Sequence, residues 1–334
     1  MNIGLLGFGV VGGGVWELAQ ENRALNVKKV LVRREAPSLG KAAVQDVEAI
    51  LRDTEIDTVV EGLGGLHPAY EWICRALAAG KDVVTANKAV ISAYYRELTA
   101  LARENGVALR CTAAVGGGIP WLVNLQRCRR VDTVTEVGGI MNGTTNFIMD
   151  AMARQGADFP AVLQRAQELG YAEADPSADI DGDDIRRKLT ISANIAFDAL
   201  LREEDIPAFG IRTVTGADVA DFRAHGFTCK LLACAQRTET GVAAYVEPAL
   251  VAEGEPEAAV PGNYNLISCT GELLGRQSYF GQGAGRYPTA ANVVQDCLDL
   301  LTGEDGFYTE TARPMAVEAD AVAHPYYVRT QGAD

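Results

Sequence analysis

Two lysines and a cluster of carboxylates are the residues of this sequence best suited to move a proton. Asp184 and Lys188 stand four apart and therefore share one face of a helix. Exposed, such a pair would stabilise by only ~0.3–0.5 kcal/mol. In a cleft the same pair could bind and deprotonate an alcohol. Lys88, in Thr85-Ala86-Asn87-Lys88, follows an apolar run at the carboxyl end of a strand, the edge where open α/β sheets bind ligands. If both lysines face one cleft, each disfavours the other's protonation, and a neutral lysine becomes a usable base. Between Glu168 and Asp184 carboxylates are denser than anywhere else in the chain. A calcium loop fails: with Gly182 at loop position 6, Lys188 falls where a bidentate glutamate is required. Helix capping accounts for Asp181 or Asp183. It does not account for Glu173, Asp175 and Asp179, whose mutual repulsion a bound cationic amine would relieve.

A second constellation binds rather than reacts. Gly7-Phe8-Gly9-Val10-Val11-Gly12 is G-x-G-x-x-G placed between a first strand and a first helix. Its first glycine permits a tight turn, its second lets a pyrophosphate approach the backbone, and its third lets helix and strand pack closely. The free N–H groups of the helix start then hold phosphate. The second strand ends in Val32-Arg33-Arg34, and arginine there accommodates the 2′-phosphate of NADP, whereas Glu35 could still take the ribose hydroxyl of NAD. The other account of Arg33 and Arg34 is solvated strand-end charge.

The elements that must position these groups come from periodicity. Apolar runs at Ile3–Leu6, Val27–Val32, Thr58–Val60, Asp82–Thr85 and Val107–Cys111 alternate with helical patterns at Val15–Glu21, Pro68–Ala79 and Lys88–Asn105. Strand and helix in that rhythm predict an α/β fold with a Rossmann-type, doubly wound parallel sheet. Beyond Gly116-Gly117-Gly118-Ile119-Pro120 the rhythm changes. A β-rich run, Thr133–Met141, precedes helical stretches Phe147–Arg154, Pro160–Leu169 and about Asp183–Leu200. Apolar runs at Phe227–Ala235, Val242–Val251, Leu266–Cys269 and Leu273–Phe280 predict a second sheet in an α+β domain. The expected division is 1–130 for the dinucleotide, with a last helix in 286–310 packing back on it, 131–285 for substrate and dimerisation, and a tail at 311–334.

Composition narrows the classes. A chain of 334 residues holds about two domains. The 44 acidic against 30 basic residues leave −14, which repels phosphate backbones and anionic lipid and argues against nucleic-acid or membrane partners. Arg127, Arg129 and Arg130 form the tight basic cluster, read as a solvated element end. Seven cysteines without a C-x-x-C pair fit a reducing compartment. No run approaches the ~18 apolar residues of a spanning helix, and the start lacks a cleavable leader, so a soluble cytoplasmic protein is expected. His67, His225 and His324 are isolated and take no role.

The motifs together resemble the homoserine dehydrogenase family over nearly the whole chain. The likeness rests on Gly7–Gly12, Thr85–Lys88, Gly117–Pro120, Gly139-Ile140-Met141-Asn142-Gly143-Thr144-Thr145-Asn146, Leu169-Gly170-Tyr171-Ala172-Glu173-Ala174-Asp175-Pro176, Asp181–Asp184 with Arg187-Lys188, and Gly283-Ala284-Gly285 followed by Pro288-Thr289-Ala290. It implies NAD(P)-dependent interconversion of L-homoserine and L-aspartate 4-semialdehyde, a step towards threonine and methionine. It makes Lys188 the acid/base, has Asp184 orient substrate, gives the amino group to Glu173, and sets Lys88 near the nicotinamide. Asp179, Asn142, Gly143 and Thr144 then lie at the substrate, and Thr85 and Gly283 join the glycine loop at the cofactor. It further implies a homodimer paired through the second sheet, and a monovalent cation (sodium or potassium) on backbone oxygens of Val115, Gly117 and Ile119. The glutamate that many members carry beside that cation is Thr112 here. After the last helix there is no room for the regulatory domain of some relatives, and no aspartate kinase precedes the first strand, so no feedback inhibition of that kind is expected. The alternatives are a dehydrogenase of another small amino acid or semialdehyde, and a catalytically silent dinucleotide-binding protein.

Overall fold

Short, continuously apolar strands have to be covered on both faces, which only helices on either side of a parallel sheet achieve. The computed structural model, which describes residues 1–309 and 311–330, meets that demand in its first third. The order is β1 (Asn2–Leu6), α1 (Val10–Gln20), β2 (Asn26–Leu31), β3 (Ala43–Val44), α2 (Glu48–Leu51), β4 (Thr58–Glu61), α3 (Ala69–Ala78), β5 (Asp82–Thr85), α4 (Lys88–Glu104) and β6 (Leu109–Arg110). The strands pair in parallel in the order β3-β2-β1-β4-β5-β6. That is the doubly wound dinucleotide order, with its crevice where the winding reverses between β1 and β4. Leu5, Leu6, Val59, Val60, Val83 and Val84 are all buried.

The second part runs α5 (Trp121–Arg129), β7 (Val134–Ile140), α6 (Gly143–Gln155), α7 (Phe159–Glu168), α8 (Ser177–Ile180), α9 (Asp183–Phe197), α10 (Gly216–Ala224), β8 (Phe227–Arg237), β9 (Gly241–Ala252), β10 (Tyr264–Gly271), β11 (Gly275–Gln282), α11 (Arg286–Leu301) and β12 (Ala316–Val317). Its sheet has the order β11-β10-β7-β8-β9-β12, antiparallel except where β12 joins β9 in parallel. Helix α9 is buried along nearly its whole length, between this sheet and helices α4 and α5.

Helix α11 returns to the first sheet. A Cβ on Gly14 of α1 would stand 2.8 Å from Ala290 Cβ, so the two helices touch because that position is glycine. Arg286 and Tyr287 both donate to Glu17, at 2.6 and 2.8 Å. Deeper in, the fully buried Arg110 donates from Nε to Asp296 Oδ1 (3.0 Å), from Nη2 to Asp299 Oδ2 (2.7 Å) and from Nη1 to the Asp305 carbonyl (2.7 Å).

Several boundaries depart from the sequence expectation, each for a local reason. Asn142 caps α6 through a bond from Thr145 N to its Oδ1, so Gly143–Asn146 are helical rather than loop. Helix α10 was not anticipated, although Thr215 and Asp218 form a capping box ahead of it. Strand β3 has two residues, too few for a periodic signal. The tail supplies β12, and the Tyr327 ring meets Phe222 edge-on at 4.8 Å. Its last four residues, 331–334, and residue 310 lie outside the described residues. All seven cysteines are free thiols.

Replacing Arg110 with Met leaves Asp296 buried without its cation, and one-sided loss of a buried pair costs ~3–5 kcal/mol. Urea denaturation of Arg110→Met should show a stability loss of that size; a loss near zero would refute the anchoring role of this pair.

Candidate active site

The two lysines converge on one carboxylate. Lys88 opens α4 at the carboxyl end of β5, and its Nζ lies 2.7 Å from Asp184 Oδ1. Lys188, one turn along α9, places its Nζ 2.7 Å from Asp184 Oδ2 and donates to the Met141 carbonyl at 2.7 Å. Asp184 and Lys188 are buried, whereas the Lys88 side chain is 40% exposed. The dipole favours Asp184 in the first turn of α9 and disfavours Lys88 in the first turn of α4. That unfavourable lysine is offset by its bond to Asp184. Asn142 completes the floor, donating from Nδ2 to Asp179 Oδ1 (2.7 Å) and Asp184 Oδ2 (2.8 Å).

Burial and charge divide the two lysines. Burial opposes ionisation of Asp184, but Lys188 and Lys88 outweigh it and hold the carboxyl far below the usual range. Burial, with the charge of Lys88 adding to it, pushes the Lys188 ammonium down against the pull of Asp184. Burial also opposes the charge on Lys88, yet Asp184 prevails and its pKa is raised. The expectation that each lysine suppresses the other therefore holds for Lys188 and is corrected for Lys88, which stays cationic. Burial and then the charge of Asp184 raise the Asp179 carboxyl.

The acidic stretch is not one cluster. Asp181 pairs with Arg212, Asp183 with Arg186 at 2.7 Å, and Asp175 accepts from Ser177 N at 3.1 Å. Only Asp179 and Asp184 face the lysines. Glu173 and Asp175 are exposed, and the Glu173 carboxylate has no hydrogen-bond partner among the described residues. Thr144 donates to the Tyr171 carbonyl at 2.5 Å, which ties the start of α6 to the segment carrying Glu173.

The glycine loop lies between β1 and α1 as expected. Gly7 has φ +100°, the space beside Gly9 is open, and Phe8, Val10 and Val11 frame the turn. Arg33 and Arg34 are exposed just after β2 and make no ion pair among the described residues. Thr85 is fully buried: its hydroxyl donates to Glu61 Oε2 at 2.5 Å and accepts from Asn87 N at 2.9 Å. Its hydroxyl thus positions the strand end. Sequence reading missed Glu61 and Gly62-Leu63-Gly64-Gly65. Glu61 Oε1 accepts from Leu63 N at 2.7 Å, and Asn87 Nδ2 donates to the Gly65 carbonyl at 2.7 Å. A Cβ on Gly7 would stand 2.9 Å from Leu63 Cδ2, so this second glycine loop abuts the first. The available signal was an acidic residue closing an apolar strand just ahead of paired glycines.

Gly283 sits against Gly117 and Asn265. Of the Val115, Gly117 and Ile119 carbonyls expected to face a cation, those of Gly117 and Ile119 both accept from Asn292 Nδ2, at 2.6 and 3.0 Å, and that of Val115 accepts no hydrogen bond among the described residues.

A Cβ on Gly12 would stand 2.2 Å from the Gly7 carbonyl oxygen. Such overpacking costs about 1–3 kcal/mol, so Gly12→Ala should weaken NADPH binding by ~10–100-fold in a fluorescence titration. Unchanged affinity would remove this loop from the cofactor site.

Known protein families match the chain in two segments. A family profile described as "Homoserine dehydrogenase" matches residues 120–298, and one described as "Homoserine dehydrogenase, NAD binding domain" matches residues 7–112. A homoserine dehydrogenase from Synechocystis is 42% identical over 317 residues, 90% of this chain and 73% of the relative. One from Pseudomonas aeruginosa is 37% identical, covering 100% of this chain and 82% of its own length. The crystal structure of a homoserine dehydrogenase from Thiobacillus denitrificans matches with a TM-score of 0.91 at 37% identity, over 95% of this chain and 79% of that one. With both halves matched, and relatives this similar over most of their length, the chain belongs to the homoserine dehydrogenase family.

Proposed function

We propose that the chain interconverts L-homoserine and L-aspartate 4-semialdehyde with NADP as the preferred dinucleotide, on the route to threonine and methionine. The observation that carries the reading is the pair of lysines on one buried carboxylate, at the sheet edge that also bears the glycine loops. Strands β1 and β5 lie two spacings apart, roughly 10 Å, a distance a nicotinamide and its substrate can bridge. The bound dinucleotide supplies hydride chemistry; the protein aligns the carbon and manages one proton. In the oxidative direction Lys188, whose ammonium is destabilised by burial, acts as the neutral amine: its two N–H bonds go to Asp184 and the Met141 carbonyl, and the lone pair in the third position takes the hydroxyl proton. In reduction it returns that proton. Lys88, still cationic, stabilises negative charge on the reacting oxygen. Asp184 holds both ammonium groups in place, and Glu173 with Asp179 receives the substrate's amino group.

NADP is preferred over NAD because Arg33 and Arg34 stand exposed and unpaired among the described residues where a 2′-phosphate would fall. Residues 1–130 with 286–310 form the cofactor part, 131–285 the substrate and dimerisation part, and 311–334 a tail. Dimerisation uses the face of the second sheet bearing Tyr245, Ser268 and Thr270, where a cavity of about 1140 Å³ lies beneath tail residues 324–329. The cytoplasm is the compartment that fits free thiols and a soluble dehydrogenase.

Lys188→Ala should lower homoserine-dependent NADP reduction by ~10²–10⁴-fold while NADPH still binds. Near-normal turnover would sink the assignment of Lys188. For the wild type, kcat/KM of oxidation should rise with pH through a pKa below the ordinary lysine value of 10.5. Asp184→Asn should move that limb to lower pH, since the carboxylate favours the protonated lysine and its loss favours the neutral one; a shift upward would contradict the electrostatics. Replacing Arg33 and Arg34 together with Ala should raise KM for NADP by ~10-fold or more and leave that for NAD unchanged, at ~1.4 kcal/mol per factor of ten. Equal effects on both cofactors would reassign these arginines to surface charge. Turnover of other amino alcohols in place of homoserine would redirect the substrate.

A further inference from the structure

The family resemblance implies a monovalent cation on main-chain oxygens of the 112–120 loop, next to a glutamate that is Thr112 here. The residues present do not fit such an ion. Asn292 is buried, and its Nδ2 donates to Gly117 O at 2.6 Å and to Ile119 O at 3.0 Å. An amide NH₂ has two hydrogens, and these two oxygens take both. Ile119 O also accepts from Trp121 N at 2.7 Å, which fills its second lone pair. A cation sharing these oxygens would press against the positive end of the amide dipole, where a hard cation needs oxygen. At the start of the loop Thr112 brings no charge. Its Oγ1 and N–H both donate to Asp296, at 2.7 and 2.8 Å. Asn292 and Asp296 are four apart on α11, so one helix face presents a donor and an acceptor to the two ends of the loop.

We propose that Asn292, with Asp296 one turn along, replaces the monovalent cation as the group that folds the 112–120 loop, and that this protein requires neither sodium nor potassium. The consequence reaches the catalytic helix. Trp121, which follows the loop, donates from Nε1 to Ser192 Oγ at 2.9 Å, and Ser192 Oγ donates to the Lys188 carbonyl at 2.8 Å. An amide carried by α11 orders this chain of contacts without an ion.

The test compares wild type, Asn292→Ala and Asn292→Asp in potassium, sodium and N-methyl-D-glucamine chlorides at equal ionic strength. It reads homoserine oxidation, melting temperature and equilibrium dialysis of radioactive rubidium. The wild type should behave alike in all three salts and take up no stoichiometric rubidium. Asn292→Ala opens the space between the oxygens; without an alkali cation it should lose activity on the order of tenfold, the effect of one or two hydrogen bonds, and recover it in potassium or sodium. Should that variant fail to fold, Asn292→Asp asks the same question by setting a carboxylate against two carbonyls, which should melt higher in potassium or sodium than in the organic salt. A wild type that binds rubidium, or that slows or melts earlier in the organic salt, overturns the proposal. So does a wild type indistinguishable from both variants in every salt. Only the kinetic readout rests on the proposed activity: absence of homoserine turnover in any salt would count against that reading, while melting and rubidium uptake would still decide the role of Asn292.

Discussion

One buried carboxylate sets the terms for the rest of the molecule. Removing a charge from water costs several kcal/mol unless partners meet it with good geometry. Asp184 is met three times, by Lys88, Lys188 and Asn142. These partners come from separate places: the β5–α4 junction of the parallel sheet, α9 itself, and the β7–α6 junction of the second sheet. Asp184 can be buried only when both sheets hold their strand ends in register with α9. With both lysines protonated the group carries one surplus positive charge. Lys188 is the more buried of the two and its ammonium is the one pushed down, which suits the proton transfer proposed for it.

The supporting contacts serve that register. Glu61, Thr85 and Asn87 form a hydrogen-bonded chain along the carboxyl ends of β4 and β5, joining the loop 62–65 to the first turn of α4 and so to Lys88. Arg110 and Asp296 fasten β6 to α11, and α11 in turn lies on α1, whose amino end is the glycine loop. Cofactor loop, lysine and returning helix are thus tied by buried polar bonds. Such bonds fix geometry because leaving one unmade costs more than making it gains.

The sequence was informative where a local rule acts alone. Buried parallel strands show as unbroken apolar runs, and β5 matches its expected bounds, Asp82–Thr85. The spacing of Asp184 and Lys188 alone puts them on one helix face, where the structure has them paired. What stayed hidden depends on contacts between distant segments. Arg212 claims Asp181 from thirty-one residues away, so counting carboxylates could not separate those facing the lysines from those on the surface. Which lysine loses its proton depends on differential burial, which spacing does not encode. The bond from the Thr85 hydroxyl to Glu61, twenty-four positions away, likewise carries no signal in the local sequence.

The loop after β6 shows how one structural task can pass from one chemical group to another. Carbonyl oxygens that converge repel unless something positive lies between them. An ion supplies full charge, but it must be taken from solution and stripped of water. A side-chain amide supplies partial charge and arrives with the fold, and its two N–H bonds suit two oxygens. Thr112 and Asn292 then hold the two ends of one loop. A carboxylate at 112 would face Asp296, already committed to Arg110 and buried, and like charges there would repel at low dielectric. A hydroxyl donates instead. With no carboxylate at 112 and Asp296 already committed to Arg110 and Thr112, a cation in the loop would have backbone dipoles as its direct ligands, and the amide of Asn292 becomes the better match for the same oxygens.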